Sequence, residues 1–128
     1  GLMEHKIRDV YQMSIKEIGS ALRKTSRLCR DLKIDKKEFF GGSMTISSLG
    51  GIGGTFFTPI INPPEVAILG VGKSFDRLVK VKDKFVSRKI LPISLSYDHR
   101  IIDGAEGARF CVYLGKCLGK DFAFKLAV

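Results

Sequence analysis

LSYDHRIIDGAEGARF, running from Leu95 to Phe110, sets the fold. Its left side continues an alternation, with Leu91, Ile93, Leu95 and Tyr97 facing one way and Ser94 and Ser96 the other, the period-two pattern of a half-buried strand. Its right side changes period. From about Gly104 to Leu118 the apolar residues Ala108, Cys111, Val112, Leu114 and Leu118 recur at helical spacing, and Asp103 followed by Glu106 supplies a helix start. The junction holds His99 in place of the Gly, Asn or Pro of an ordinary turn. A strand end fixes a reactive side chain while leaving it open to a cleft. A free imidazole, with a pKa of about 6.5, is largely neutral at cellular pH yet accepts a proton readily, as a general base must.

Upstream, the chain reads as strands and loop. Val66 to Val71 (VAILGV) is a continuous apolar run, expected for a strand covered on both faces. Ser43 to Ser48 (SMTISS) is a shorter β-prone segment. Between them, SLGGIGGTFFTPIINPPEV is a long loop whose prolines, Pro59, Pro63 and Pro64, exclude a central strand. GKSFDRLVKVKDKFVSRK, Gly72 to Lys89, alternates basic and apolar residues and predicts a solvated strand pair turning at Lys82-Asp83-Lys84. Met13 to Asp31 carries Ile15, Ile18, Leu22 and Cys29 on one helical stripe, with Ser14 and Glu17 as a capping box. Asp35 with Glu38 caps one short turn. Helices and strands mix without strict alternation, so the expected class is α/β, an α+β two-layer sandwich in which helices cover a mixed β-sheet.

Composition bounds the rest. At 128 residues, 45% hydrophobic and 27% charged, the chain is at most one domain with a modest core. No stretch is long and apolar enough to span a bilayer, and the first residues carry no signal-peptide pattern, so no membrane partner is expected. Cys29, Cys111 and Cys117 follow no metal spacing and read as reduced thiols; no metal is expected. The net charge of +9 raises the question of nucleic acid, but the basic residues concentrate in the Gly72–Lys89 pair without stacking aromatics, so no nucleic-acid partner is expected. A solvated hairpin, or a surface for a phosphate-bearing ligand or acidic partner, accounts for them.

From chemistry alone a histidine near an aspartate is more often a structural pair than an acid–base site, and Asp103 already has work as a helix cap, so His99 with Asp103 is only a candidate acid–base site. Ser47 and Ser48 pass for ordinary strand-end serines.

A resemblance adds to this. D-H-R-I-I-D-G at 98–104 resembles the active-site signature of the dihydrolipoamide acyltransferases that form the cores of 2-oxo acid dehydrogenase complexes. The stretch from Gly41 to Gly72, G-G-S-M-T-I-S-S-L-G-G-I-G-G-T-F-F-T-P-I-I-N-P-P-E-V-A-I-L-G-V-G, and L-P-I-S-L-S-Y-D-H-R resemble the same family, and G-L-x-x-x-x-I-R-D-V at 1–10 matches a family strand. The resemblance implies a chloramphenicol acetyltransferase-like fold, incomplete here because the chain covers about half of a family catalytic domain. It implies His99 as the base that deprotonates the thiol of coenzyme A or dihydrolipoamide, Ser47 as the donor to the tetrahedral oxyanion, and Asp103 as the acidic residue organising the site. Arg100 and Gly104 receive supporting roles. S-S-L-G-G-I-G-G-T-F-F-T-P-I is similar to acetyl-transferring members, with succinyl or branched-chain acyl groups as the alternative.

Coenzyme A and a lipoyl group carried on a separate domain are the implied substrates. The implied partners are further copies of the chain, as trimers assembled into a larger core with His99 and Ser47 meeting from neighbouring subunits, together with lipoyl domains and the decarboxylase and dihydrolipoamide dehydrogenase components. The implied location is the bacterial cytoplasm or mitochondrial matrix. Met3-Glu4-His5-Lys6 departs from the family's apolar run, which predicts an exposed edge there, and the tail Ala123 to Val128 resembles a segment that docks on neighbouring trimers. A chain of this extent is expected to show little acyltransferase activity by itself. The competing classes are a non-catalytic core segment and an acyltransferase for small alcohols or amines; Asp98 before His99, where that branch doubles the histidine, disfavours the latter.

Overall fold

A computed structural model describes residues 3–122. The chain divides into two compact units, Gly1–Gly42 with Tyr113–Val128, and Ser43–Val112. The candidate site residues all fall in the second.

In the first unit, α1 spans Ile15–Arg30. Ser14 caps it as the sequence predicts: its Oγ accepts from the Glu17 N–H (3.2 Å) and its own N–H donates to the Glu17 carboxylate (2.6 Å). That backbone donor holds the Glu17 carboxyl below its ordinary value. The predicted stripe is covered unevenly. Ile18 and Cys29 are half-buried, while Ile15 and Leu22 stay exposed. Asp35 caps a short 3-10 turn, Lys36–Phe39, by accepting from the Lys37 N–H at 3.0 Å. Glu38 does not join that cap; it lies 3.9 Å from the Arg8 guanidinium, which donates to the carbonyls of Lys37 and Phe40. Residues 3–9 form no strand, contrary to expectation. A strand exists only by pairing with another, and the Lys6 N–H donates instead to the carbonyl of Glu38 (2.7 Å), which lies in the 3-10 turn. Gly1, Leu2 and the tail 123–128 lie outside the described residues.

The second unit holds a mixed three-stranded sheet in the order β1 (Thr45–Ser48), β2 (Ala67–Val71), β5 (Ile93–Tyr97). β1 runs parallel to β2 and β5 antiparallel to it. The apolar run takes the centre as its composition requires: Ala67, Ile68 and Leu69 are the buried apolar core. Gly70 completes that strand because the Phe57 ring lies against it; a Cβ there would sit 2.8 Å from Phe57 Cζ. β3 (Phe75–Val81) and β4 (Lys84–Ile90) form a separate antiparallel hairpin. Its turn is the pair Lys82–Asp83, both at positive φ (49° and 64°), the geometry of a two-residue hairpin turn.

The second helix, α2 (Gly104–Cys117), follows β5 through the His99 turn. Gly107 is its buried residue and lies on Tyr97: a Cβ there would stand 2.8 Å from Tyr97 Cε1. This corrects the predicted inner face. The less exposed positions are Gly107, Cys111 and Leu114, while Ala108 and Val112 face solvent. The bare Cα of Gly107 lets the helix approach the sheet closely, and that contact rotates the stripe. The three cysteines are free and half-buried.

The core is smaller than composition suggests. Ile46, Ile52, Phe56 and Ile60 in the second unit are each at least 68% exposed.

Candidate active site

His99 stands one residue past the last sheet bond of its segment, in which the Asp98 N–H donates to the Val66 carbonyl (2.8 Å). The turn that carries it is built on Asp98. The Asp98 carbonyl accepts from the N–H groups of Ile101 and Ile102, both at 3.0 Å. Its Oδ1 accepts from the Arg100 N–H (3.0 Å) and Nε (2.9 Å), and its Oδ2 from Arg100 Nη2 (2.7 Å). These bonds favour the ionised carboxylate, and the Arg100 side chain is the main reason its pKa falls to about 2. Backbone and side chain of Asp98 thus pin the residues on both sides of His99.

The imidazole itself is exposed. Its ring lies 5.7 Å from that of Tyr97, tilted by 37°. Gly104 leaves room beside it: a Cβ at Gly104 would come within 3.9 Å of His99 Nε2 and 3.8 Å of the Tyr97 hydroxyl. A cavity of about 520 Å³ opens next to the ring, walled by Ile61, Pro63, Pro64, Glu65 and Val66 on one side and by Tyr97 to Ile101 on the other. The ring therefore faces open space on the cavity side.

Asp103 makes the helix-cap bond that the sequence offered for it. Its Oδ1 accepts from the Glu106 N–H at 2.8 Å, capping α2, and among the described residues no hydrogen bond joins it to His99. Ser47 is half-buried on β1 opposite Gly70, which in turn faces Ser94, so these three share a sheet face with Phe57. Its neighbour Ser48 points the other way, and Ser48 Oγ accepts from the Gly50 N–H (3.4 Å).

The register separates the two principal residues. Ser47, Gly70 and Ser94 lie in one row across the sheet, and His99 is five residues beyond Ser94. At about 3.3 Å per residue and about 4.8 Å per strand, roughly 15–20 Å lie between Ser47 and His99 of one chain. The sequence pattern singled out His99 and the resemblance Ser47, but neither pointed to the part Asp98 plays in the turn; an Asp two residues before Arg in a turn was the available signal. Among the described residues there is no cluster of three or more metal-ligating side chains, and no helix is long and apolar enough to cross a membrane.

Comparison with known proteins accords with this geometry. The sequence model of the family described as 2-oxoacid dehydrogenases acyltransferase (catalytic domain) matches residues 1–123. The dihydrolipoyllysine-residue acetyltransferase component of the pyruvate dehydrogenase complex from Cupriavidus necator is 49% identical over 122 residues, 95% of this chain and 22% of that protein. A crystal structure of the Azotobacter vinelandii dihydrolipoamide acetyltransferase is 46% identical and superposes with a TM-score of 0.89, covering 96% of this chain and 51% of that one. That work addresses the role of a serine, a histidine and an asparagine in its catalytic mechanism, and their separations along the chain equal those of Ser47, His99 and Asp103. The cubic core of the pyruvate dehydrogenase multienzyme complex superposes equally well, with a TM-score of 0.89 at 46% identity. The chain spans about a fifth of the length of the curated relative and about half of the solved chains.

Proposed function

We propose a function from one premise: the chain belongs to the 2-oxoacid dehydrogenases acyltransferase (catalytic domain) family. Its part is to supply the general base and the oxyanion donor for transfer of an acetyl group between dihydrolipoamide and coenzyme A. The observation that carries the reading is His99, fixed at a strand end by Asp98 and open to a cavity. The matching separations of Ser47 and Asp103 support it.

The chemistry is a balanced exchange of one thioester for another. A thiol with a pKa near 8.5 is mostly protonated at neutral pH. His99 takes the S–H proton, and the thiolate attacks the acyl carbonyl. A new C–S bond forms as the carbonyl electrons move to oxygen. The hydroxyl of Ser47 donates to that oxyanion. Collapse expels the second sulfur, which recovers the proton from the imidazolium. A positioned base of this kind contributes roughly 10²–10⁴ in rate, and one oxyanion donor about 3 kcal/mol. Asp103 acts through the helix it caps, holding Gly104 and the open side of the imidazole in place. No step requires a metal.

The separation of roughly 15–20 Å within one chain means that the Ser47 meeting a given His99 belongs to another copy. The exposed apolar residues of the second unit fit such an assembly. The reading places the chain in a trimeric, multi-copy core served by lipoyl domains and by the decarboxylase and dihydrolipoamide dehydrogenase components, in the bacterial cytoplasm. Acetyl is preferred over succinyl because the Cupriavidus necator relative is an acetyltransferase.

The test is an acetyl-transfer assay from acetyl-coenzyme A to dihydrolipoamide, run on the chain alone and after co-refolding with the N-terminal half of the Cupriavidus necator catalytic domain. Activity is expected in the reconstituted sample and its loss in H99A. A reconstituted sample of the correct assembly mass whose rate is unchanged by H99A refutes the reading.

A further inference from the structure

We propose that Arg77 and Arg88 form a receptor for a phosphate group on the β3–β4 hairpin. The two residues are directly paired across the strands. Their side chains therefore leave the same face with Cβ atoms about 5 Å apart, and both are exposed.

Like charges placed opposite each other destabilise a hairpin, so the pair calls for a counter-ion. The hairpin's own acids do not provide one. Asp76 is held by Lys89 at 2.8 Å and Asp83 by Lys80 at 3.4 Å. By the register, Asp76 and Lys80 belong to the opposite face, and the arginine face consists of Phe75, Arg77, Val79 and Val81 with Lys84, Val86, Arg88 and Ile90. It carries no acid. Among the described residues no ion pair or hydrogen bond engages either arginine.

The geometry selects the ligand class. Each guanidinium presents a planar fork that fits two oxygens, and two forks at one cross-strand position suit a single compact dianion. An extended acidic peptide would need charge spread along the face. Here the next pair is Val79–Val86, apolar and half-buried, and the nearest further cation on the face, Lys84, is two pairs away. A phosphate or diphosphate group matches this concentration of charge. The inference does not depend on the acyl-transfer reading.

The test is titration of the 128-residue chain with inorganic pyrophosphate, followed by calorimetry and by amide NMR shifts. Saturable shifts centred on residues 77 and 88 are expected. R77Q or R88Q should weaken binding about tenfold or more and R77K by less, since it keeps the charge and loses the fork. K82Q, which removes the same charge from the turn, should change it less than about twofold. The Val79–Val86 cross-strand contact in each variant reports whether the hairpin is intact; should a variant lose it, the wild-type shift map decides. Competition distinguishes sources: displacement by coenzyme A but not by pantetheine points to a nucleotide-type phosphate, and failure of coenzyme A to compete points to free inorganic phosphate. An equal loss in K82Q, or absence of saturable shifts at residues 77 and 88, overturns the proposal.

Discussion

Asp98 grips Arg100 through both carboxylate oxygens, at 2.9 Å to Nε and 2.7 Å to Nη2, and so closes the turn on which His99 rides. The grip depends on the ionised carboxylate, whose pKa is depressed to about 2 from 3.8. A depressed carboxyl contributes stability above its unfolded value and loses it as pH falls through the folded value. The turn should hold at pH 4 and above and loosen towards pH 2. In a carboxyl-carbon NMR titration Asp98 should show a midpoint near the depressed value, and R100Q should raise it towards the ordinary carboxylate value without reaching it, because the backbone N–H of residue 100 still donates to Oδ1. An unshifted midpoint in the unsubstituted chain contradicts the clamp.

Gly107 and Tyr97 make a second prediction in which two effects compete. Replacing glycine by alanine inside a helix ordinarily gains about 1 kcal/mol. Here the new Cβ would meet the Tyr97 ring at 2.8 Å, and overpacking of this kind costs about 1–3 kcal/mol. The clash should win or at best cancel the gain. Thermal unfolding of G107A should show no rise in Tm and a fall of up to about 8 °C, at about 4 °C per kcal/mol. A rise of several degrees would show that α2 does not pack on Tyr97.

The hairpin turn offers a gain. Lys82 and Asp83 both adopt positive φ without being glycine, which costs roughly 1–2 kcal/mol per residue. Asn and Gly are the preferred pair for this turn. Lys82→Asn with Asp83→Gly forfeits the exposed Lys80–Asp83 bridge, worth about 0–1 kcal/mol. The new glycine also costs about 0.4–1 kcal/mol through the greater freedom of the unfolded chain, so the net expectation is stabilisation by about 1 kcal/mol from the relieved strain, read as slower amide exchange at Val79 and Val86.

Much of this architecture is legible in the residues because it rests on local chemistry. The apolar run of β2, the alternation of β5 and the Ser14–Glu17 box each state their structure within a few positions. What the residues do not state is what lies against them. Ile46 and Phe56 are strongly apolar yet 68% exposed, since burial is fixed by surfaces that no periodicity locates. Residues 3–9 read as a strand and form none, because pairing needs a second strand. At the site, His99 was legible from its position between two periods. The Asp98 clamp was not, because its partners are two to four residues away in a turn, where patterns of period two or 3.6 are silent. Asp103 was read as both cap and organiser, and the bond that the structure gives it is the cap.

The central claim is that a single chain holds both His99 and Ser47 but too far apart to work together. Co-refolding H99A with S47A, each in the reconstituted domain, tests it most directly. Each variant alone should be slower than the unsubstituted domain by at least about a hundredfold. In a cyclic assembly formed at random from equal amounts, about one interface in four combines an intact His99 with an intact Ser47 from the adjacent copy. The mixture should therefore recover about a quarter of the unsubstituted rate. A mixture no faster than its two parents, in assemblies proven by mass to contain both, would contradict the account.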